Sequence, residues 1–459
     1  MTESALPPVP AAREGLKQRL FRAARWTLVG YVCTQVLRFA SNLVLTRLLA
    51  PEMFGVMAVG QVIIMGLRMF SDVGLGAGTI QSRRGDDPVY LNVVWVVQIA
   101  RGAIITLCGL AFAVGLILAV PAGLLPVHSV YADPIVPKLV ALLSQAGIIS
   151  GFDSTKISWA RRHLAFATLT KMELGCQVVT TVFMLTWASI APSVWVLGLG
   201  WIFSASLLMM ASHLVLPGPA NRFQWDRSAF QEIFNFGKWT FVSSALSFLQ
   251  TSGDRLLMGA FLTATTMGLY SIAFELSNAL QAVVGRLVGY TVLPALSEIA
   301  RERPDKLKQT MYRVRLPLDV VCVVAAGMFA VLGPTIVAVL YDKRYTDAGW
   351  MLSLLATTLL MTRLDVFDQC LLAIGRPKLL SVLNAVRLVA LYVLVPTGYW
   401  LYGVRGTVSA VAACALVNTV AVLVLQHRLR LFDLKRELLA IPLYASGVLV
   451  GAGVRWIFT

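Results

Sequence analysis

The sequence predicts an all-α polytopic membrane protein: two six-helix lobes, with a further apolar helix at the C-terminus. Three observations predict it. Of 459 residues, 58% are hydrophobic and only 14% charged, where a soluble domain carries ~25% charged residues. Mean hydropathy is +0.75. Thirteen apolar runs recur along the chain, each near the ~20 residues that a spanning helix needs, and no separator between them is long enough to hold a soluble domain. Together these exclude a soluble enzyme, a disordered chain and a disulfide scaffold.

Residues 1–10 are polar and Pro-rich and read as a disordered lead. The acidic start and the length of the first apolar run argue against a signal peptide. Residues 11–25 set Arg13, Lys17, Arg19, Arg22 and Arg25 among Leu16, Leu20, Phe21 and Ala24. That pattern suits an amphipathic basic helix on an anionic membrane surface. Runs follow at about 26–48, 53–80, 91–120, 137–158, 165–190 and 193–216, giving a first lobe over 26–217. The second lobe, 234–428, holds runs at about 236–260, 267–297, 314–341, 349–373, 379–402 and 406–427. A thirteenth, about 438–457, falls in a C-terminal helix over 438–459. Separators such as Ala50-Pro51-Glu52 and Gly375-Arg376-Pro377 are short, so neighbouring runs are antiparallel. A faint repeat supports the division: Leu49-x4-Phe54-Gly55-Val56 returns as Leu262-x4-Met267-Gly268-Leu269 after 213 residues. Two halves that start on the same side of the membrane are parallel repeats, a layout that two-lobe transporters use.

The net charge of +16 would suggest nucleic acid in a soluble protein. Here it follows the loops. With the N-terminus inside, alternate loops hold 26 Lys and Arg on the cytoplasmic side against 6 on the other. The positive-inside rule then fixes the orientation, and no nucleic-acid partner is expected. The six cysteines sit inside apolar runs, without CxxC or His spacing, and read as small hydrophobes. No catalytic triad, HExxH, P-loop or GxGxxG is present, so neither active-site chemistry, nor a cofactor, nor a metal is expected.

Seven arginines and no deep lysine lie within the runs: Arg38, Arg68, Arg101, Arg255, Arg286, Arg363 and Arg387. Each costs ~2.5–3.5 kcal/mol at a helix centre, so they should face protein or a wet cavity. A guanidinium fork matches phosphate and carboxylate, where lysine offers only a point charge. Tyr31, Gln35, Arg38 and Asn42 form one polar stripe at helical spacing, which reads as cavity-facing. Arg68 and Asp72 stand at i,i+4 and read as a structural pair. Asp254 and Arg255 are adjacent and need separate partners. Glu275 and Arg286 share a face three turns apart, and Arg286 is a second cavity candidate. Arg363, Asp365 and Asp368 crowd the tenth run. The two carboxylates there are either counter-ions for Arg363 and Arg387 or an ion-coupling pair. The expected substrate-binding set is Arg38, Asn42, Arg255, Glu275, Arg286 and Arg363.

The segments Thr46-Arg47-Leu48-Leu49-Ala50-Pro51-Glu52-Met53-Phe54-Gly55 and Ser71-Asp72-Val73-Gly74-Leu75-Gly76, then Ile80-Gln81, carry a family resemblance. Further matches follow in order: Arg161-Arg162-His163-Leu164-Ala165-Phe166, Gly253-Asp254-Arg255-Leu256-Leu257-Met258-Gly259 and Gly268-Leu269-Tyr270-Ser271-Ile272-Ala273-Phe274. Leu293-Pro294-Ala295-Leu296-Ser297 and Ala373-Ile374-Gly375-Arg376-Pro377-Lys378 complete the series. Over roughly 25–430 the chain resembles bacterial oligosaccharide flippases, the polysaccharide-transporter branch of the multidrug/oligosaccharidyl-lipid/polysaccharide superfamily. The resemblance implies two six-helix lobes around a central cationic cavity in the bacterial cytoplasmic membrane. It also implies a polyprenyl-pyrophosphate-linked oligosaccharide as substrate, moved from the cytoplasmic to the outer leaflet by alternating access for surface polysaccharide synthesis. Glycosyltransferases or a polymerase would be its partners.

Two rival readings stand beside this one. A cation-coupled multidrug exporter of the same superfamily would want an acid-dominated cavity, whereas the intramembrane charge here is balanced to positive. A non-transporting membrane scaffold for glycan synthesis would have no need of unpaired charge within its spans.

Overall fold

The computed structural model describes residues 16–72, 74–126 and 128–458. Among them the chain is helical throughout, with turns and no strand. The helices are α1 Leu16–Leu48, α2 Pro51–Phe70, α3 Leu75–Gln81, α4 Pro88–Ala119, α5 Ile135–Gly151, α6 Lys156–Arg162, α7 Phe166–Ile190 and α8 Val194–Leu214. After them come α9 Arg227–Phe261, α10 Ala264–Glu302, α11 Leu307–Leu340, α12 Ala348–Leu355, α13 Leu359–Thr362 and α14 Asp365–Ala373. The long α15 Pro377–Arg428, the short α16 Leu434–Leu438 and α17 Ala440–Phe458 close the chain.

Nine helical segments among the described residues are long and apolar enough to cross a membrane, or ten when the α5–α6 pair, bent by 62°, counts as one. The chain is thus a multi-span membrane protein. The remaining runs have physical explanations. Helix α15 contains two of them, joined at Tyr402 (φ −137°) and Gly403 (φ +58°, ψ −138°). The chain reverses there: a Cβ on Gly398 would lie 2.5 Å from the Gly406 carbonyl oxygen. Helices α9 and α10, of 35 and 39 residues, take the seventh and eighth places but carry more polar residues than the nine. One expectation changes at the start of the chain. Helix α1 runs unbroken from Leu16, so the basic segment from 16 onward continues into the first span with no hinge between them. No Gly or Pro interrupts 16–29. Residues 11–15 lie outside the described residues.

The chain divides into two compact units, residues 1–49 with 56–248, and residues 50–55 with 249–459. In the first, α4 packs on α5, α5 and α7 pack on α8, and α1 packs on α7. Small residues bring α4 and α5 together, as is common between membrane helices. A Cβ on Gly102 would meet the Gly147 oxygen at 2.5 Å, so no larger residue fits there. Thr106 seals the seam by donating to the Ser144 carbonyl at 2.8 Å and accepting from Ile148 N–H at 3.1 Å.

In the second unit, α10 packs on α12 and α14, and α11 packs on α12 and α17. Val284, Val288, Val292 and Leu296 form one stripe of α10, buried with Cys322, Leu364, Phe367 and Leu371. The C-terminal helix is integral to this unit. Gly327 of α11 sits so close that a Cβ would lie 2.4 Å from the Tyr444 oxygen of α17. The same unit holds both copies of the sequence repeat in direct contact. A Cβ on Gly55 would fall 1.9 Å from the Ala264 oxygen, and one on Gly268 would fall 1.9 Å from the Pro51 oxygen. The contact is reciprocal, and both residue pairs are related by the same shift of 213 positions.

Candidate functional site

In the first unit, helices α2 to α8 and the α5–α6 bend line a polar cavity of about 350 Å³. Arg68 comes from α2, Gln98 and Arg101 from α4, Ser150 from α5, Asp153 from the bend, Arg161 from α6 and Glu173 from α7. The bend frees the carbonyls that end α5, and Gln98 collects them. Its Nε2 donates to the carbonyls of Ser150, Gly151 and Asp153 at 3.0–3.1 Å. The Phe152 carbonyl meets His213 Nε2 at 2.8 Å. Arg68 donates to the Ala146 carbonyl at 3.4 Å and Ser150 Oγ at 3.3 Å. Arg161 lies 3.8 Å from Glu173. One Asp153 oxygen, Oδ1, is buried with no hydrogen-bond partner among the described residues. Three guanidiniums against two carboxylates leave this lining cationic.

The expected Arg68–Asp72 pair does not form. Helix α2 ends at Phe70, so Asp72 lies past the helical register that i,i+4 spacing requires. Gly74 turns the chain there with φ +62°. Asp72 instead accepts Gly74 N–H at 2.9 Å and Ser244 Oγ–H at 3.1 Å, and it faces Arg101 at 3.9 Å. Arg101 ties this corner together, because it also donates to the Arg68 carbonyl at 2.7 Å and to Ser71 Oγ at 3.2 Å. The sequence alone gave Arg101 no role.

The other expected residues are distributed over both units. Arg38 is exposed on α1 and Asn42 is half-buried one turn later. Arg255 and Asp254 do take separate partners. Arg255 donates to Ser252 Oγ at 3.0 Å and lies 4.8 Å from the centre of the Phe274 ring, while Asp254 accepts the Tyr270 hydroxyl at 2.7 Å. Glu275 is half-buried on α10. Arg286 belongs to the same helix, but its side chain lies outside the described residues, as do those of Trp239 and Tyr290. Asp368 pairs with Arg387 at 2.9 Å. Asp365 lies close enough to feel both Asp368 and Arg387, but of the two carboxylates it is Asp368 that bonds Arg387 among the described residues.

Arg363 departs most from expectation. It is buried and pairs with Asp319 at 3.3 Å and Glu437 at 3.5 Å, rather than with Asp365 or Asp368. Arg315 completes the group, 3.0 Å from Asp319 and 2.8 Å from Glu437, and Tyr312 donates its hydroxyl to Glu437 at 2.9 Å. Two guanidiniums and two carboxylates balance inside the protein, which assigns Arg363 a structural position. Arg315, at the very start of the run at 314–341, is not among the seven intramembrane arginines of the sequence reading, yet it is wholly buried. Its i,i+4 spacing from Asp319 was the available signal.

A second cluster outside the spans explains the basic-aromatic motif at 161–166. Arg162 donates Nη1 to the carbonyls of Thr79, Ile80 and Ser82 and Nε to Asp86 at 3.0 Å. A cation there satisfies the carbonyls that end α3. Arg84 bonds Asp87 at 3.0 Å and lies 3.6 Å from Asp226, and the Asp87 hydrogen bond holds its pKa above the ordinary arginine value. Asp226 caps α9 by accepting from Ser228 Oγ and Ala229 N–H, and these two bonds hold its carboxyl below the usual range.

Comparison with known proteins accords with this architecture. Residues 44–349 match the family described as polysaccharide biosynthesis protein. The succinoglycan biosynthesis transport protein ExoT of Rhizobium meliloti (strain 1021) is 21% identical over 402 residues, covering 87% of this chain and 78% of its own. Among solved structures, the lipid II flippase MurJ in an inward closed conformation superposes with a TM-score of 0.61 at 12% identity, covering 93% of this chain and 98% of that one. An inward-facing MATE multidrug transporter gives a TM-score of 0.55 at 15% identity, covering 86% and 94%. At these identities the two structures are alike in fold.

Proposed function

This chain belongs to the polysaccharide biosynthesis protein family, and from that premise we propose that it flips a polyprenyl-pyrophosphate-linked oligosaccharide from the cytoplasmic to the outer leaflet. Two lobes, at about 26–217 and 234–428, would alternate access to a site near the bilayer midplane. The work is transport rather than catalysis, in the bacterial cytoplasmic membrane with the N-terminus inside. The observation that carries the reading is the choice of arginine over lysine within the spans, because the guanidinium fork is the side chain suited to a pyrophosphate. Arg38, Asn42, Arg255, Glu275 and Arg286 are the binding residues in this proposal, and Asp365 and Asp368 the candidates for ion coupling. The transport named for the succinoglycan relative and the fold shared with a lipid II flippase support it.

The intramembrane carboxylates weigh against a multidrug exporter. Asp254 is engaged by Tyr270, Asp368 by Arg387, and Asp319 and Glu437 by two arginines. Acids neutralised inside their own unit offer little to an organic cation. The experiment is complementation of a strain that lacks its own oligosaccharide flippase. Wild type restores surface polysaccharide, and Arg38→Ala, present at normal abundance, does not. Restoration of drug efflux without polysaccharide would overturn the reading.

A further inference from the structure

A cleft of about 230 Å³ opens beside α11, bordered by Gln309, Arg313 and Leu316 of that helix and by Arg436 and Leu439 of the C-terminal segment. Tyr312 and Asp319 form its floor. It lies next to the buried Arg315–Asp319–Arg363–Glu437 group and outside every residue given a transport role above.

Three features of the cleft converge on one ligand chemistry. The first is charge. The buried group is neutral, so Asp319 on the floor is already balanced by Arg315 and Arg363. The other charged lining residues are Arg313 and Arg436, and the acid beside them, Asp433, lies 3.8 Å from Arg436 and 3.9 Å from Lys308. The second is preorganisation. Arg436 is fixed by its Asp433 contact at 3.8 Å, by donation to the Gln309 carbonyl at 3.4 Å and by the Tyr312 ring at 5.4 Å. Arg313 is exposed on the same face and has no hydrogen bond or ion pair among the described residues. The third is the apolar wall. Leu316 is 47% exposed and Leu439 46%, so hydrocarbon-compatible surface begins directly beside the two guanidiniums. Cations above an apolar wall at the end of a membrane helix are complementary to a phosphate ester that carries acyl chains. The cleft is also smaller than the ~300–1,000 Å³ of drug-sized pockets, which leaves no room for an oligosaccharide.

We infer that this cleft binds the phosphate headgroup of a resident anionic phospholipid, with Arg313 and Arg436 as its ligands and Leu316 and Leu439 against the start of an acyl chain. The charge count assigns this end of α11 to the cytoplasmic leaflet. Because α16 supplies both Arg436 and Glu437, the lipid would bridge α11 to the C-terminal segment at a distance from the transported substrate.

The test is native mass spectrometry of the purified full-length protein in detergent, titrated with phosphatidylglycerol or with phosphatidylcholine of the same acyl chains. Wild type should retain phosphatidylglycerol at least about tenfold better than phosphatidylcholine, since each arginine near an anionic headgroup contributes about 1 kcal/mol. Arg313→Gln should lose most of that preference, and the Arg313→Gln/Arg436→Gln pair all of it. Arg376→Gln, the same charge change in the α14–α15 connection of this unit, should keep it. Millimolar inorganic pyrophosphate should not displace the lipid, because the apolar wall contributes nothing to a free anion. Arg313 is exposed and has no hydrogen bond or ion pair among the described residues, so its variant keeps the fold and reports on binding. Equal retention of both lipids by wild type, equal loss in Arg376→Gln, or displacement by free pyrophosphate would each overturn the assignment.

Discussion

Glu437→Gln isolates the group that fastens the C-terminal segment to the second unit. The change keeps the shape of the side chain and an oxygen for the Tyr312 hydroxyl, and removes only the charge. Glu437 is 9% exposed, Arg363 6% and Arg315 0%, so water cannot replace the lost carboxylate. Two guanidiniums would then share Asp319 alone. Breaking a buried pair on one side costs ~3–5 kcal/mol, because a charge is left without compensation. For a unit of roughly 210 residues, each kcal/mol shifts the melting temperature by roughly 2–4 °C, so the expected loss is roughly 6–20 °C. The assay is thermal unfolding of the purified protein in detergent, read beside its membrane abundance. Adding Arg363→Met removes the surplus cation and should recover part of the loss, giving a coupling energy of about 0.5–3 kcal/mol. A Glu437→Gln melt within about 1 °C of wild type, or fully additive single changes, would refute the reasoning.

Three further outcomes follow from contacts within the two units. Asp72→Ala should lower membrane abundance, since Arg101 and Ser244 lose their shared partner; wild-type abundance without transport would instead place Asp72 in the mechanism. Gly268→Ala should destabilise by about 1–3 kcal/mol, as its Cβ has a carbonyl oxygen at 1.9 Å, whereas Gly115→Ala, with nothing within 4 Å, should be neutral or better; equal melting of the two variants contradicts this. Asp226 has a depressed folded pKa, so its contribution is present above the unfolded value of about 3.9 and is lost as pH falls through the folded one. The hydrogen-exchange protection factor of Ala229 should therefore hold from pH 6 down to about 4 and fall below it; a flat profile down to pH 2 would exclude Asp226 as the cap.

The spans were legible because a bilayer demands long apolar helices whatever their neighbours, and each expected run has a helical counterpart. The 213-residue repeat was legible through Gly55 and Gly268, whose sequence context returns because both copies need a backbone contact that only glycine permits. Charged partners were less legible. Arg68 and Asp72 have helical spacing, but α2 stops at Phe70 and Gly74 redirects the chain, which periodicity does not register. Arg363 finds Glu437 74 residues away in the chain. No local pattern encodes that pairing, since it arises only when α17 folds onto α11. Arg315 was misread for a related reason: it lies where a basic loop grades into a span, and only its spacing to Asp319 marked it as internal. The role of Gln98 in the cavity depends on the α5–α6 bend, which presents carbonyls rather than side chains and so leaves no residue signature.

In the proposed mechanism, intramembrane arginines hold a pyrophosphate-linked glycan during flipping. The most direct measurement is the leaflet distribution of lipid-linked oligosaccharide in cells whose only flippase is this protein, compared with Arg38→Ala and Arg286→Ala. Losing a charge-assisted contact of about 1.5–3 kcal/mol should slow flipping by roughly 10- to 150-fold, at 1.4 kcal/mol per decade. Lysine at either position should rescue in part, because it restores charge without the planar fork. Both alanine variants should accumulate the lipid-linked oligosaccharide in the inner leaflet at wild-type protein abundance. Wild-type outer-leaflet levels in both would contradict it.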